Sequence, residues 1–157
     1  MTDTPQDSKT VLQQNKEIVA RWVSEYWDAG DPSVVDELAT EDIRVHYPLG
    51  GESRGREAVK NRIIGFKEMF PEGGFDITDE LIAEGDRVAA CYEGAGTHTG
   101  PAWELPMGTV PESSGRSVSY TGIAVYRVHH GKIASEYGEG DYLGMVQQLG
   151  LIDPPGE

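Results

Sequence analysis

The spacing of apolar residues is mostly helical before residue 75 and mostly alternating after it. Thr10 and Gln13 have capping-box spacing and open a predicted helix. Ile18, Val19, Trp22, Val23 and Tyr26 form its apolar stripe, and Gly30 ends it. Trp22, Tyr26 and Trp27 make a heavy aromatic face, expected to pack in the core and to leave room for a bordering ligand cavity. Asp31-Pro32 is a second start signal, for a short helix through Val34, Val35 and Leu38. A third helix from Arg56 carries Val59, Ile63, Phe66 and Phe70 on one stripe until Pro71 stops it. Between the second and third helices, Ile43 to Pro48 alternates, predicting a short strand that Pro48 assigns to a sheet edge; residues 49–55 read as a loop.

From Phe75 onward the pattern is that of strands. Residues 75–84 and 87–98 flank Gly85-Asp86, a hairpin signal. Val88, Ala90, Tyr92, Gly94, Gly96 and His98 share one face of the second strand, with small residues that suit a cavity wall. Residues 100–115, rich in Gly and Pro, form a connection long enough to serve as a lid or mouth loop. The longest strand, 117–129, turns at His130-Gly131 into a final strand, 131–141. Strict alternation there puts Ile133, Ser135, Tyr137, Glu139 and Asp141 on one face, with the last two carboxylates about 7 Å apart. Gly138 and Gly140 on the other face signal a bulge or a close backbone approach. A bulge between Glu139 and Asp141 would separate them.

Three helices, one extended stretch among them, then a meander of strands and a short terminal helix predict an α+β domain. In it a curved antiparallel sheet, packed by helices on one face, encloses a conical pocket. The expected domain runs over residues 10–150, between a disordered tail at 1–9 and a C-terminal tail at 151–157.

Composition narrows the function classes. Thirteen Lys and Arg against 27 Asp and Glu give a net charge of −14, spread along the 157 residues. Such a field repels phosphate backbones and argues against nucleic acid; it favours a neutral or weakly acidic ligand, since an anion would require a local basic pocket. The one locally basic region, Arg54, Arg56, Lys60, Arg62 and Lys67, reads as a solvated helix face. The single cysteine, Cys91, reads as a small core residue in a reducing compartment. No signal-peptide pattern or membrane-length apolar run is present, so a cytoplasmic protein without membrane partners is expected. Phosphate-loop, dinucleotide, zinc-protease and nucleophile-elbow motifs are absent. His129-His130 reads as a surface turn.

The candidate chemistry gathers at the last strand. Glu139 and Asp141 could move protons, and His98 and His46 are further candidates. Two of them have a structural alternative: a strand histidine such as His46 is commonly structural, and Asp141 stands where an aspartate would cap the helix beginning at Tyr142.

The ordered set Tyr26-Trp27-Asp28-Ala29-Gly30-Asp31, Val45-His46, Phe70-Pro71, Ala83-Glu84-Gly85-Asp86-Arg87-Val88, Gly96-Thr97-His98-Thr99-Gly100, Tyr126-Arg127-Val128, Gly131-Lys132-Ile133, and Asp141 followed by Gln148-Leu149-Gly150 resembles the SnoaL-like polyketide cyclases. These belong to the nuclear-transport-factor-2-like (NTF2-like, cystatin-like) superfamily. The resemblance covers about residues 15–150 and departs from the pattern at 108–115 and at Gly138-Glu139-Gly140. It implies a cone-shaped pocket, a homodimer or higher homo-oligomer, and acid/base chemistry with no cofactor and no metal.

Carried over, Asp141 would be the acid/base group of an intramolecular aldol closure on a small hydrophobic, polyketide-like carbonyl compound of secondary metabolism. His98 and His46 would polarise or position the substrate. Tyr120 and Tyr126 would be pocket donors, with Tyr92, Tyr137 and Trp103 as further substrate-binding candidates. Two other readings stay open. One is an epoxide-opening hydrolase or hydratase in which Glu139 and Asp141 activate water; the other is a non-catalytic small-molecule-binding dimerisation module in which Asp141 only caps a helix.

Overall fold

The computed structural model describes residues 5–156, with side chains from Thr10 onward. The first helix, α1 (Pro5–Arg21), passes directly into a π-helical segment, Trp22–Asp28. Thr10 therefore lies inside the helix instead of capping it, and the helix occupies part of the stretch expected as a tail; residues 1–4 of that tail lie outside the described residues. Gly30, at φ +72°, ends the run in the left-handed conformation that glycine adopts at low cost. Asp31 then accepts hydrogen bonds from the Ser33 backbone N–H (2.9 Å) and hydroxyl (2.6 Å), leading into α2 (Val34–Leu38).

The strands are β1 (Ala39–Tyr47), β2 (Gly51–Arg54), β3 (Gly74–Ile77), β4 (Ile82–Glu84), β5 (Arg87–Thr97), β6 (Trp103–Leu105), β7 (Gly108–Val110), β8 (Ser117–His129) and β9 (Lys132–Gly140). Helix α3 (Arg56–Met69) lies between β2 and β3, and α4 (Tyr142–Gln148) follows β9. The main sheet has the order β2-β1-β9-β8-β5-β3, with β4 also paired to β5. This is the expected α+β NTF2-like cone, with one difference in direction: β1 runs parallel to β9, so the sheet is mixed. The two strands are far apart in the chain, with β2, α3 and β3 to β8 between them, so no tight turn constrains them to run antiparallel.

Three local expectations change. The strand carrying His46 is internal, because residues 51–54, expected as loop, fold back as β2 and pair along it; Pro48 sits just beyond the ladder. Residues 75–84 form two short strands instead of one. Cys91 is half-buried on the outward side of β5. In 100–115, β6 and β7 form a small hairpin.

The core lies between the helices and the concave face: Trp22, Tyr26, Val35, Ile43, Val45, Ile63, Val88, Tyr126 and Ile133 are essentially inaccessible. A second apolar cluster, Phe70, Val110, Val118, Met145 and Leu149, ties the β6–β7 hairpin and α4 to the end of α3. Among the described residues no helix is long and apolar enough to cross a membrane.

Candidate functional site

Strand β9 decides what faces the cavity. Arg127 pairs with Ser135 while Val128 pairs with Ile133, leaving Ala134 as an extra residue. A bulge of one residue exchanges the two faces of everything beyond it. Ile133 points inward, as alternation predicts; beyond the bulge the inward positions are Glu136, Gly138 and Gly140, while Tyr137 and Glu139 face outward. The expected common face of Ile133, Tyr137 and Glu139 is thus broken, at Ala134 and not at the glycines.

The buried carboxylate of Glu136 is only 1% exposed and is gripped by four donors. The indole N–H groups of Trp22 (2.8 Å) and Trp27 (2.7 Å) and the hydroxyls of Tyr47 (2.5 Å) and Tyr126 (3.1 Å) all donate to it. Trp22 and Trp27 are five residues apart, and the π-helical hydrogen-bond spacing brings residues five apart to the same side. Burial pushes the Glu136 carboxyl above its ordinary value, and the four donors oppose that push. Indole can only donate, so the surroundings fit the ionised form.

Tyr47 and Tyr126 also line a cavity of about 400 Å³ between α3, the π segment and the concave sheet. That volume lies in the range of small-molecule sites. Its walls are mostly aromatic and aliphatic, including Trp27, Phe66, Phe70, Phe75, Trp103 and Met145. The glycines of β9 make room for the phenols: a Cβ on Gly138 would overlap the Tyr47 ring, and one on Gly140 would lie 3.4 Å from the Tyr92 hydroxyl. Gly122 serves Tyr92 similarly, since a Cβ there would stand 2.5 Å from the ring carbon bearing its hydroxyl.

Tyr92 also lines the cavity and is 6% exposed; among the described residues its shielded hydroxyl meets no acceptor at full hydrogen-bonding geometry, and the Tyr142 hydroxyl is near enough to act on its ionisation. Its phenol neighbours are Tyr120 and Tyr142. Burial drives its ionisation well above the ordinary range, so it is a neutral O–H. Tyr47 and Tyr126 spend their protons on Glu136 and can turn lone pairs toward a ligand; the neutral Tyr92 O–H, beside the Tyr142 hydroxyl, can turn to a ligand as a donor.

The cavity opens past Gly50 and Asn61, where Arg62 is the single charged residue among its described lining residues. Arg62 Nε donates to Ser53 Oγ (3.0 Å), and Nη2 to the carbonyls of Gly50 (3.1 Å) and Gly51 (2.6 Å). Among the described residues no set of His, Cys, Asp and Glu is grouped to hold a metal ion.

The family model for SnoaL-like polyketide cyclases matches residues 17–149, a span that contains the cavity and its whole polar lining. The chain belongs to the SnoaL-like polyketide cyclase family. Among solved structures, a protein of Bacillus cereus ATCC 10987 provisionally named a polyketide cyclase matches at 26% identity, 97% of this chain, 91% of its own and a TM-score of 0.73. Wild-type IdmH from Streptomyces antibioticus, also a provisional polyketide cyclase, matches at 26% identity over 87% of this chain and 99% of its own, with a TM-score of 0.70. A Jannaschia sp. CCS1 protein shares the fold at 22% identity, with 99% of both chains covered and a TM-score of 0.76. No curated protein matches the chain.

In this SnoaL-like chain the candidates from sequence separate into two groups. Tyr92, Tyr120, Tyr126 and Trp103 line the cavity, whereas Tyr137 faces outward and is 51% exposed. None of the four acid/base candidates lines it. Asp141 is exposed and caps α4, its Oδ1 accepting the Gly144 N–H at 2.9 Å. Glu139 is exposed and accepts the Tyr137 hydroxyl at 2.8 Å. His46 is exposed and stacks on Tyr137 with ring centroids 5.6 Å apart. His98 is fully buried outside the cavity lining, with Nε2 donating to the Pro101 carbonyl (2.7 Å) and Nδ1 accepting from the Ser114 hydroxyl (2.9 Å). Both of its ring nitrogens are occupied in holding the 100–115 segment.

Sequence reasoning missed Glu136, Tyr47 and Arg62. The glycine pair in β9 was the available signal, since it implies rings packed on that face.

Proposed function

We propose that this chain is a cyclase or isomerase that enolises a hydrophobic, polyketide-like carbonyl compound through Tyr47 and Glu136. Family membership supports a cyclase or isomerase role. The observation that carries the finer reading is the buried Glu136 carboxylate accepting the hydroxyls of two cavity-lining tyrosines, Tyr47 and Tyr126.

In the proposed step a substrate carbonyl accepts the neutral Tyr92 O–H, which turns to it from beside Tyr142, while its α-carbon lies against the Tyr47 oxygen. The Tyr47 oxygen takes the α-proton as its own phenolic proton passes to Glu136, and the electron pair of the C–H bond becomes an enolate held by Tyr92. The enolate carbon bonds to a second carbonyl of the same molecule. The new alkoxide takes a proton from Tyr47, which recovers one from Glu136. One carbon–carbon bond forms and the mass is unchanged; for an isomerase the proton returns to a different carbon. The apolar, aromatic walls strengthen each of these electrostatic contacts.

The hydrolase alternative relied on Glu139 and Asp141, and both are on the exposed surface. The test is conversion of a panel of aromatic polyketide esters, followed by absorbance and mass spectrometry, by the wild type and by Tyr47→Phe and Tyr92→Phe. Mass-neutral conversion lost in both folded variants is expected. A gain of one water points to the hydrolase, and undiminished turnover in Tyr47→Phe overturns the relay.

We also propose self-association through the outer sheet face. Ile123 (55% exposed) and Val125 (39%) on β8 lie beside Tyr137 on β9, an apolar patch supporting that reading.

A further inference from the structure

Arg62 is the one charged residue among the cavity's described lining residues, in a chain whose net charge is −14. Every ion pair of the described residues uses other cations, and no carboxylate approaches the Arg62 guanidinium within salt-bridge distance. Its known partners are neutral: Ser53 Oγ and the Gly50 and Gly51 carbonyls occupy Nε and Nη2. Those three bonds fix the plane of the guanidinium against the β1–β2 turn and leave Nη1 without an acceptor among the described residues. Gly50 contributes by being glycine, because a Cβ there would stand 2.5 Å from Nη1 and cover it.

The charge is felt inside the cavity as well. The Arg62 field favours ionisation of Tyr142, another lining residue, and of Tyr26 behind the wall. Lys60, half-buried on the same helix, spends its charge on Asp36 (2.8 Å) and Glu57 (3.2 Å). Arg62, also half-buried, has no such carboxylate; it is held by the turn and lines an apolar cavity. A fixed, unpaired guanidinium at the rim of an otherwise uncharged pocket is a receptor for an anionic oxygen.

We infer that Arg62 recognises a carboxylate on the substrate, holding the acid at the cavity rim while the apolar body extends inward toward Tyr47 and Tyr92. This deepens the cyclase or isomerase reading, on which it rests for the identity of the site. The substrate class becomes a polyketide-like carbonyl compound that retains a free carboxylic acid, in preference to its ester or amide. The surrounding negative charge of the protein makes the local cation necessary for such a ligand.

The test is binding, independent of turnover. Affinities of anthraquinone-2-carboxylate and of its methyl ester are measured by quenching of the intrinsic tryptophan fluorescence, with wild type, Arg62→Lys and Arg62→Gln. The wild type is expected to prefer the acid by about tenfold or more, the usual worth of a charge-assisted hydrogen bond. Arg62→Gln should lose that preference and keep the ester affinity; Arg62→Lys should keep part of it. Near-ultraviolet circular dichroism checks that each variant is folded. Independently of any variant, the wild-type preference for the acid should shrink when pH is lowered through the ligand's own carboxyl pKa.

Equal wild-type affinity for acid and ester, no binding of either, or an acid preference surviving in folded Arg62→Gln overturns the assignment. Arg62-dependent acid preference without conversion of any polyketide compound would leave this inference standing and remove the cyclase reading. Conversion of esters with no acid preference would do the reverse.

Discussion

The Tyr47 hydroxyl meets Glu136 Oε1 at 2.5 Å, joining the end of β1 to the strand that runs parallel to it. Val45 and Glu136 are register partners, and His46 and Tyr137 follow on the opposite face. One pairing thus sends a phenol–carboxylate contact inward and a histidine–tyrosine stack outward. The chemistry proposed for the cavity depends on which pair points in.

Replacing Glu136 by Gln should cost both stability and turnover. An amide NH2 would face one of the indole N–H donors, leaving it unpaired at about 1–3 kcal/mol. Loss of the proton relay should lower kcat by about 10²–10⁴-fold. Denaturant unfolding and turnover of any converted substrate measure the two effects separately.

Stability should carry a signature of Glu136 in its pH dependence. Burial raises the folded-state pKa, so the folded protein binds the proton more tightly than the unfolded chain. The resulting stabilisation is full below the unfolded value of about 4.3 and is lost as pH rises through the higher folded value. Unfolding midpoints measured across that window should show the decline in the wild type, and the Glu136→Gln variant should lack that component.

Asp141→Asn should leave turnover intact. Asp141 caps α4 through the Gly144 N–H, and asparagine caps comparably, so the melting temperature should also change little. Asp141→Ala should destabilise by about 0.5–2 kcal/mol, with kcat preserved in the folded fraction. A large loss of kcat in folded Asp141→Asn would return the acid/base role to that residue.

Gly138→Ala should disable the site while leaving the fold recognisable. Its new methyl would overlap the Tyr47 ring, and relieving the overlap moves the phenol from Glu136. A cost of about 1–3 kcal/mol is expected, together with a fall in turnover like that of Tyr47→Phe. Thermal melts and parallel kinetics of the two variants make the comparison.

Ile123→Glu should reduce self-association. The residue is 55% exposed at the middle of β8, facing away from the cavity, so a charge there leaves the core untouched. Sedimentation equilibrium should show wild-type oligomers and a lighter species for the variant. A wild-type monomer would remove the proposed interface.

Much of the architecture was legible from local pattern. The apolar stripes of α1 and α3, the alternation of β5 and β8, and the Asp141 cap follow from rules acting within a few residues, and the structure contains them; Asp31 holds the turn before α2, whose N-cap is Ser33. The cavity-wall role of Tyr92 was readable for the same reason, since small residues and alternation specify a face.

The interior of the site was decided elsewhere. Nothing in Lys132 to Gly140 marks Ala134 as an extra residue; the offset exists because β9 must pair with β8 on one side and β1 on the other. That single residue turned Glu136 inward and Tyr137 and Glu139 outward. The π-helical hydrogen bonding that brings Trp22 and Trp27 to one carboxylate, and the β1–β2 turn that holds Arg62 toward the cavity, likewise join segments remote in sequence. The sequence by itself determined the main helices, the long strands, their order and the family, because periodicity and capping are local; the short strands β2, β6 and β7 and the π-helical winding were left to tertiary contacts. Which polar groups meet inside the cone was left to strand register and helix winding, which are settled only when the whole sheet closes on its helices.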